Sequence, residues 1–186
     1  MSAIKLATPS SGSISLSPAN TASNLTITVP AVTGTMITTA STFAGTGPAF
    51  SAFQSTLQSI STANWTKVQL QTEEFDTANC FDNATNYRFT PNVSGYYQVN
   101  GSVNIAGSTG NNYICGLYKN GSIARHGNQI SVNPANNTQP ILSTIIYLNG
   151  TTDYIELYAY QASGGTVNTL NGSPYTYFQA FLARAE

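Results

Sequence analysis

Apolar residues recur at every second position in short runs along this chain. Ile14 and Leu16 alternate with Ser13, Ser15 and Ser17, and Leu25, Ile27 and Val29 alternate with Thr26 and Thr28. Period two marks a half-buried strand, because successive side chains leave opposite faces of the pleat. Pro18-Ala19-Asn20 and Pro30 end these runs, and Gly34 precedes a third, Thr35-Met36-Ile37-Thr38-Thr39. The pattern predicts strand, turn, strand and short strand over 1–42. A lone hairpin of this size is marginal in water. Ile14, Leu16, Leu25, Ile27 and Val29 are therefore expected to form the core of an N-terminal β-arm in which three copies wind around one axis. Residues 43–48, with two glycines and a proline, read as a linker.

The alternation continues from residue 49. Val68-Gln69-Leu70-Gln71 alternates, Tyr87-Arg88-Phe89-Thr90 stops at Pro91, and a long run extends from Gly95 to Ile105. The run 114–118 meets Asn120-Gly121, a pair that favours a two-residue hairpin because both residues tolerate positive φ. Runs at 141–148, 153–160 and 175–182 complete the set. The window 53–60 has some helical spacing, which its Ser and Thr content weakens. About eight to ten short strands with turn signals between them predict an all-β antiparallel sandwich or jelly roll over 49–186.

Composition sharpens this picture. Only 7% of the 186 residues are charged, against about 25% in an average globular domain, so Ser, Thr and Asn do the solvating. Hydrophobic content of 41% with 11% aromatics is too rich for a disordered chain. A net charge of -1 argues against a nucleic-acid or anionic-membrane surface, since both need clustered Lys and Arg. The charges are also unevenly spread: none occurs between Lys5 and Lys67. An exposed strand normally relies on charge against edge pairing, so this segment is expected to be covered by other chains. A flexible Ser/Thr-rich tail is the alternative.

The N-terminal Met1-Ser2-Ala3-Ile4-Lys5-Leu6 lacks the apolar region of a secretory signal, and no run reaches the roughly 20 apolar residues of a membrane span. The chain is thus expected to be made in a cytoplasm, without membrane insertion. Cys80 and Cys115 can form one bridge or remain thiols, and a cytoplasmic origin favours thiols. Triplets of the N-x-S/T kind, Asn24, Asn64, Asn92 and Asn120 among them, follow from composition.

Catalytic chemistry is poorly supplied. His126 is the sole histidine, and no G-x-S-x-G, phosphate-binding or H-E-x-x-H motif occurs. The adjacent Glu73-Glu74 do not by themselves give the separation of about 5–10 Å that paired glycosidase acids require. Asp76 and Asp82 are candidate calcium ligands, since Asp/Asn loops supply the oxygens that ion takes; a solvated acidic loop is the alternative. The expectation is a non-enzymatic protein with no cofactor, calcium being the one candidate.

Six separated motifs, in order, resemble the C1q-like family of globular domains. Ala49-Phe50-Ser51-Ala52-Phe53 resembles its A-F-S-A opening, and Phe75-Asp76 with Asn83 resembles the segment before its third strand. Phe89, Gly95 and Tyr97 match its F-x-x-x-x-x-G-x-Y signature. Leu117-Tyr118-Lys119-Asn120-Gly121 is similar to its L-x-K-N-G hairpin, Thr152-Asp153-Tyr154-Ile155-Glu156-Leu157 to its G-D-x-V-x-L strand, and Phe178-Gln179-Ala180-Phe181-Leu182 to its closing F-S-G-F-L. At Gly150-Thr151-Thr152-Asp153 the usual glycine before the aspartate is displaced. The arm, with Gly12-Ser13-Ile14-Ser15-Leu16-Ser17-Pro18 and Asn24-Leu25-Thr26-Ile27-Thr28-Val29-Pro30, resembles a segment of bacteriophage tail-fibre and other virion proteins. Neither the signal peptide nor the collagen-like stalk of animal C1q proteins is present.

The resemblance implies a C1q/TNF-like jelly roll of ten strands that forms a homotrimer. In 154–160, Ile155, Leu157 and Ala159 fall on one face, and Tyr154, Tyr158 and Tyr160 on the other. These three tyrosines, joined by Tyr96, Tyr97 and Phe178, are expected to form the trimer interface, because tyrosine offers large apolar area with a polar tip. A sugar-stacking platform is the competing reading. Loops at 107–113, 133–137 and 161–166 are amide-rich, and Asn111, Asn112, Tyr113, Asn136 and Asn137 are candidates for binding a neutral host surface glycan. The protein is accordingly expected on a phage virion surface. Its arm would attach to the major capsid protein or a tail component, in a capsid decoration or head-fibre role; a tail-fibre tip for host attachment is the alternative.

Overall fold

The chain divides into two units, Met1–Thr39 and Ala40–Glu186; the computed structural model describes residues 4–7, 13–16, 47–107, 110–132 and 136–186. In the first unit β1 (Ile4–Ala7) pairs antiparallel with β2 (Ser13–Leu16), setting Ile4 opposite Leu16 and Leu6 opposite Ile14. The Ser13–Leu16 strand was expected from its alternation; its partner was not, although Ile4-Lys5-Leu6-Ala7 also alternates. The expected arm-core residues Leu25, Ile27 and Val29 lie outside the described residues.

The second unit is a sandwich of two main antiparallel sheets. Its strands are β3 (Ala49–Phe53), β4 (Ser59–Ile60), β5 (Thr66–Lys67), β6 (Thr72–Asp76), β7 (Phe81–Asp82), β8 (Arg88–Phe89), β9 (Ser94–Ser102), β10 (Gly110–Lys119), β11 (Ser122–Val132), β12 (Ile141–Asn149), β13 (Ile155–Ala162), β14 (Val167–Asn168) and β15 (Tyr177–Ala185). A five-stranded sheet runs β12-β9-β15-β3-β6, and a six-stranded sheet runs β11-β10-β13-β8-β7 with β5 also on β13. Strands β4 and β14 form a separate pair. The window 53–60 holds the end of β3 and the short β4, with no helix. Strand β3 lies beside β15, Ala49 opposite Phe181, and the Leu182 amide donates to the Pro48 carbonyl at 3.0 Å.

Alternation buries one face of each sheet against the other. Phe50 from β3 stacks on Phe81 and Phe89 of the opposite sheet, both at 4.6 Å between centroids, and meets Phe178 edge-on at 5.2 Å. Val99, Leu117, Leu148, Ile155 and Leu157 fill the space around these rings. The hairpin expected at Asn120-Gly121 forms, with φ of 53° and 77° at the two residues, and it joins β10 to β11.

Candidate functional site

Several motif residues are structural. The phenol of Tyr97 is fully buried, packs edge-on to Phe89 at 5.6 Å, and donates its hydroxyl to the Val93 carbonyl at 2.7 Å. A Cβ on Gly95 would stand 2.3 Å from the Arg184 carbonyl oxygen, so β9 and β15 close only over glycine. Lys119 pairs with Asp153 at 2.8 Å, while the side chain of Asn120 donates to Asp153 at 2.7 Å and accepts from the Tyr154 amide at 3.0 Å. Burial alone would raise the Asp153 pKa. Hydrogen bonds from Lys119, Asn120 and the Asn149 amide, with the Lys119 charge, outweigh it and hold the carboxyl below its ordinary value. The displaced glycine retains a role: Gly150 has φ +70°, and a Cβ there would meet the Ser94 amide at 2.3 Å.

Two expected interface residues require correction. Tyr97 and Phe178 are both fully buried inside the sandwich. Tyr96 and Tyr97 are consecutive, so the pleat sends one outward and one inward, and Tyr97 is the inward one.

The three tyrosines of β13 and the residue before it divide from Ile155, Leu157 and Ala159 as expected; those three are fully buried. The tyrosines stand on the outer face of the six-stranded sheet and already have partners in the chain. Tyr158 stacks on Tyr118 at 3.8 Å with 20° between planes, and Tyr160 meets Trp65 at 5.3 Å. Tyr154 lies under the Arg88 guanidinium at 4.4 Å. Trp65 also touches Tyr118 at 6.0 Å and the exposed His126 at 5.2 Å. Burial, with the nearby Glu156 carboxylate, pushes the Tyr158 phenol up to about 12. Lys67 and the buried Glu156 pair at 2.5 Å beside these rings. Sequence reasoning missed Trp65. Its signal was Gly116: a glycine inside a strand marks a place where another group approaches closely.

The outer face of the five-stranded sheet is different. Ile141, Ile145 and Tyr147 on β12 are 53%, 56% and 38% exposed, Tyr96 on β9 41%, Phe181 on β15 49% and Phe75 on β6 50%. Register places Ile145, Gln98 and Phe181 in one row across three strands, and Tyr147 beside Tyr96 in the next. The polar Ser143–Asn100 row, between the Ile145 and Ile141 rows, is internally bonded: Gln98 donates to the Ser143 hydroxyl at 3.1 Å, and that hydroxyl donates to Asn100 at 2.9 Å. Two depressions open on this face. One of about 500 Å³ is lined by Tyr96, Ile145, Ala183, Arg184, Ala185 and Glu186; a smaller one of about 170 Å³ lies beside Phe75 and Phe181.

The loops at 107–113 and 133–137 meet where Gly107 stands against Asn136 and Asn137. Most of the segment 107–113 is strand β10. A bulge between Asn111 and Ile114, with φ +68° at Asn112, accompanies a Tyr113 that is fully buried and so unavailable for stacking. Asn112 accepts from the Gln129 side chain, and Asn137 accepts from the Gly107 amide at 2.8 Å. Asn136 and Asn137 are exposed, and Asn111 faces Ala162 in the strand register. In the third loop Gln161 is buried and donates to the Ile60 and Gly165 carbonyls, so it holds the fold.

The calcium candidates serve turns. Asp76 accepts from the Ala78 and Phe81 amides, and Asp82 from the amides of Ala84 and Thr85 and the side chain of Asn86. These bonds, the Thr85 amide first, lower the Asp82 carboxyl to about 2. Oxygens aimed at N–H donors do not suit a cation, and no three His, Cys, Asp or Glu side chains converge among the described residues. Both cysteines are free; Cys115 is buried and Cys80 partly so, and burial raises both thiol pKa values. No helix among the described residues is long and apolar enough to cross a membrane.

No family model matches the chain, and no curated protein does. Solved structures do. The globular domain of zebrafish complement 1qA aligns with a TM-score of 0.57 at 15% identity, covering 75% of this chain and 99% of that one. The head has the C1q/TNF-like jelly-roll fold. Eiger TNF from S. frugiperda gives 0.57 at 11% identity, covering 75% of this chain and 96% of its own. Vertex protein P5 of the phage PRD1 gives 0.52 at 19%, covering 74% and 99%. This jelly-roll head therefore shares its strand arrangement with a complement globular domain, a TNF and a phage vertex protein alike.

Proposed function

We propose that the chain is a non-enzymatic homotrimeric surface protein of a phage virion, anchored through its N-terminal arm and displaying the jelly-roll head as a capsid decoration or head fibre. The observation that carries this reading is the outer face of the five-stranded sheet. Monomeric proteins rarely leave a contiguous apolar patch of this kind open. Its six large side chains come from four strands and are themselves uncharged, with Arg184 and Glu186 in the larger depression and Lys119 over Tyr147. A face that is mainly apolar, with both signs of charge beside it, suits another copy of the same chain. The two depressions give the partner's side chains somewhere to seat. The C1q/TNF-like fold favours three copies, and the likeness to a vertex protein favours the capsid over the tail.

Sedimentation equilibrium of the full chain tests the assembly: three protomer masses are expected, and a monomer at micromolar concentration would remove the reading. Immuno-electron microscopy of virions tests the location. Label over the capsid is expected, and label confined to the tail would move the role to a fibre tip.

A further inference from the structure

We propose that the rings on the outer face of the six-stranded sheet bind a neutral glycan, stacking on the apolar face of a pyranose. The inference rests on the surface-protein reading for its occupant, a host surface glycan. The platform is built in rows across three strands. Tyr160, Ile114 and Gln129 form one row; Tyr158, Gly116 and His126 the next; Glu156, Tyr118 and Ile123 the third. Gly116 leaves the middle row without a side chain at its centre, and Trp65 fills the gap. A Cβ at Gly116 would stand 2.6 Å from Cζ3 and 2.9 Å from Cη2 of the indole. The benzo edge of Trp65 therefore reaches the strand backbone, and its rings meet Tyr118, Tyr160 and His126. The indole is half-buried, which leaves part of it open to a ligand.

Three features select the occupant. The rings hold one another in place, Tyr118 on Tyr158 at 3.8 Å, so a flat ligand orders little on binding. The one carboxylate on the platform, Glu156, is buried and paired with Lys67, and the Arg88 guanidinium is laid over the Tyr154 ring. An uncharged ligand fits that surface better than an anion. The rings around Trp65 also lie at contact separations of 5.2–6.0 Å. They leave no well between them for a quaternary ammonium, which needs several ring faces turned inward around it. Exposed His126, Gln129 and Asn64 at the rim supply hydrogen-bonding groups for sugar hydroxyls. This platform lies on the opposite sheet from the apolar oligomer face, so a trimer would present three, and weak single sites would add by avidity.

Trp65 is the only tryptophan, which makes its fluorescence a direct reporter. The full chain is titrated with maltohexaose, cellohexaose, chitohexaose and galacto-oligosaccharide, and applied to an array of neutral and anionic glycans, with choline alongside. A saturable change in Trp65 emission with at least one neutral glycan is expected. Tyr158→Ala should weaken that binding about tenfold, the worth of one aromatic contact. Gly116→Ala, which displaces only the indole tip, should do the same with an unchanged melting curve. Binding of no neutral glycan, binding only of anionic glycans or choline, or affinity unchanged in both variants would overturn the inference. Sedimentation of the same samples separates the two proposals. A monomer that binds glycan removes the trimer and keeps the platform; a trimer that binds none does the reverse.

Discussion

The two sheets bury their inner faces in the same way and treat their outer faces in opposite ways. On the five-stranded sheet, Ile141, Ile145 and Phe181 stand about half exposed, and the one ring pair is Tyr96 with Tyr147 at 5.6 Å. On the six-stranded sheet, Tyr118, Tyr158, Tyr160 and Trp65 are half-buried by one another. Apolar side chains that stand mostly apart gain stability by area removed from water, so an open apolar face is completed by a large partner. Rings that already touch gain little more from a broad surface and keep their outward faces for something flat. The difference lies in how much of each face the chain itself satisfies, since both carry many apolar atoms.

The largest effect expected is on what the two faces share. Phe50→Ala removes the ring that stacks on Phe81 and Phe89, and should cost about 3–5 kcal/mol in denaturant unfolding, disturbing both faces together. Ile145→Asp should separate them. A carboxylate in the centre of this apolar face should convert trimer to monomer in sedimentation, while Trp65 emission stays at its wild-type maximum. A red-shifted Trp65 in that variant would mean the faces are coupled. Asp153→Asn comes next, at about 1–3 kcal/mol, because Lys119 and Asn120 lose a charged acceptor. The same group gives a pH dependence. Its folded pKa is lowered, so its contribution is complete above the unfolded carboxylate value of about 3.9. It is lost as pH falls through the folded value, and wild-type and Asp153→Asn stabilities should converge in acid. The smallest effect is Arg88→Met, which removes the cation from Tyr154 and should cost about 0.5–1 kcal/mol with no change in mass.

The sequence pattern carried much of the fold. Alternation in 154–160 divided the buried Ile155, Leu157 and Ala159 from the three tyrosines, and Asn120-Gly121 marked its hairpin. It did not carry the site, for physical reasons. Period two assigns residues to opposite faces without saying which face is inward, so Tyr97 and Phe178 were placed on the wrong side. Tyr113 reads as a loop residue in the sequence because the polar Asn111-Asn112 pair before it belongs to a bulge within a strand. Trp65 sits outside any alternating run, and only the strand pairing brings it over Gly116. The sequence singles out Tyr96 on the apolar outer face but not its neighbours, because Ile145, Phe181 and Phe75 come from three other strands distant in the chain, and their adjacency exists only in the register.

The pairing of β3 with β15 also bears on how such a head can be mounted. The strand that begins the sandwich at Ala49 lies alongside the one that closes it, with the Pro48 carbonyl bonded to Leu182. Chain therefore enters and leaves the sandwich within a few residues of the same end. A unit wired this way is a cassette: it can be spliced onto a stalk or looped into another protein at one end without threading its strands or obstructing the loops at the other.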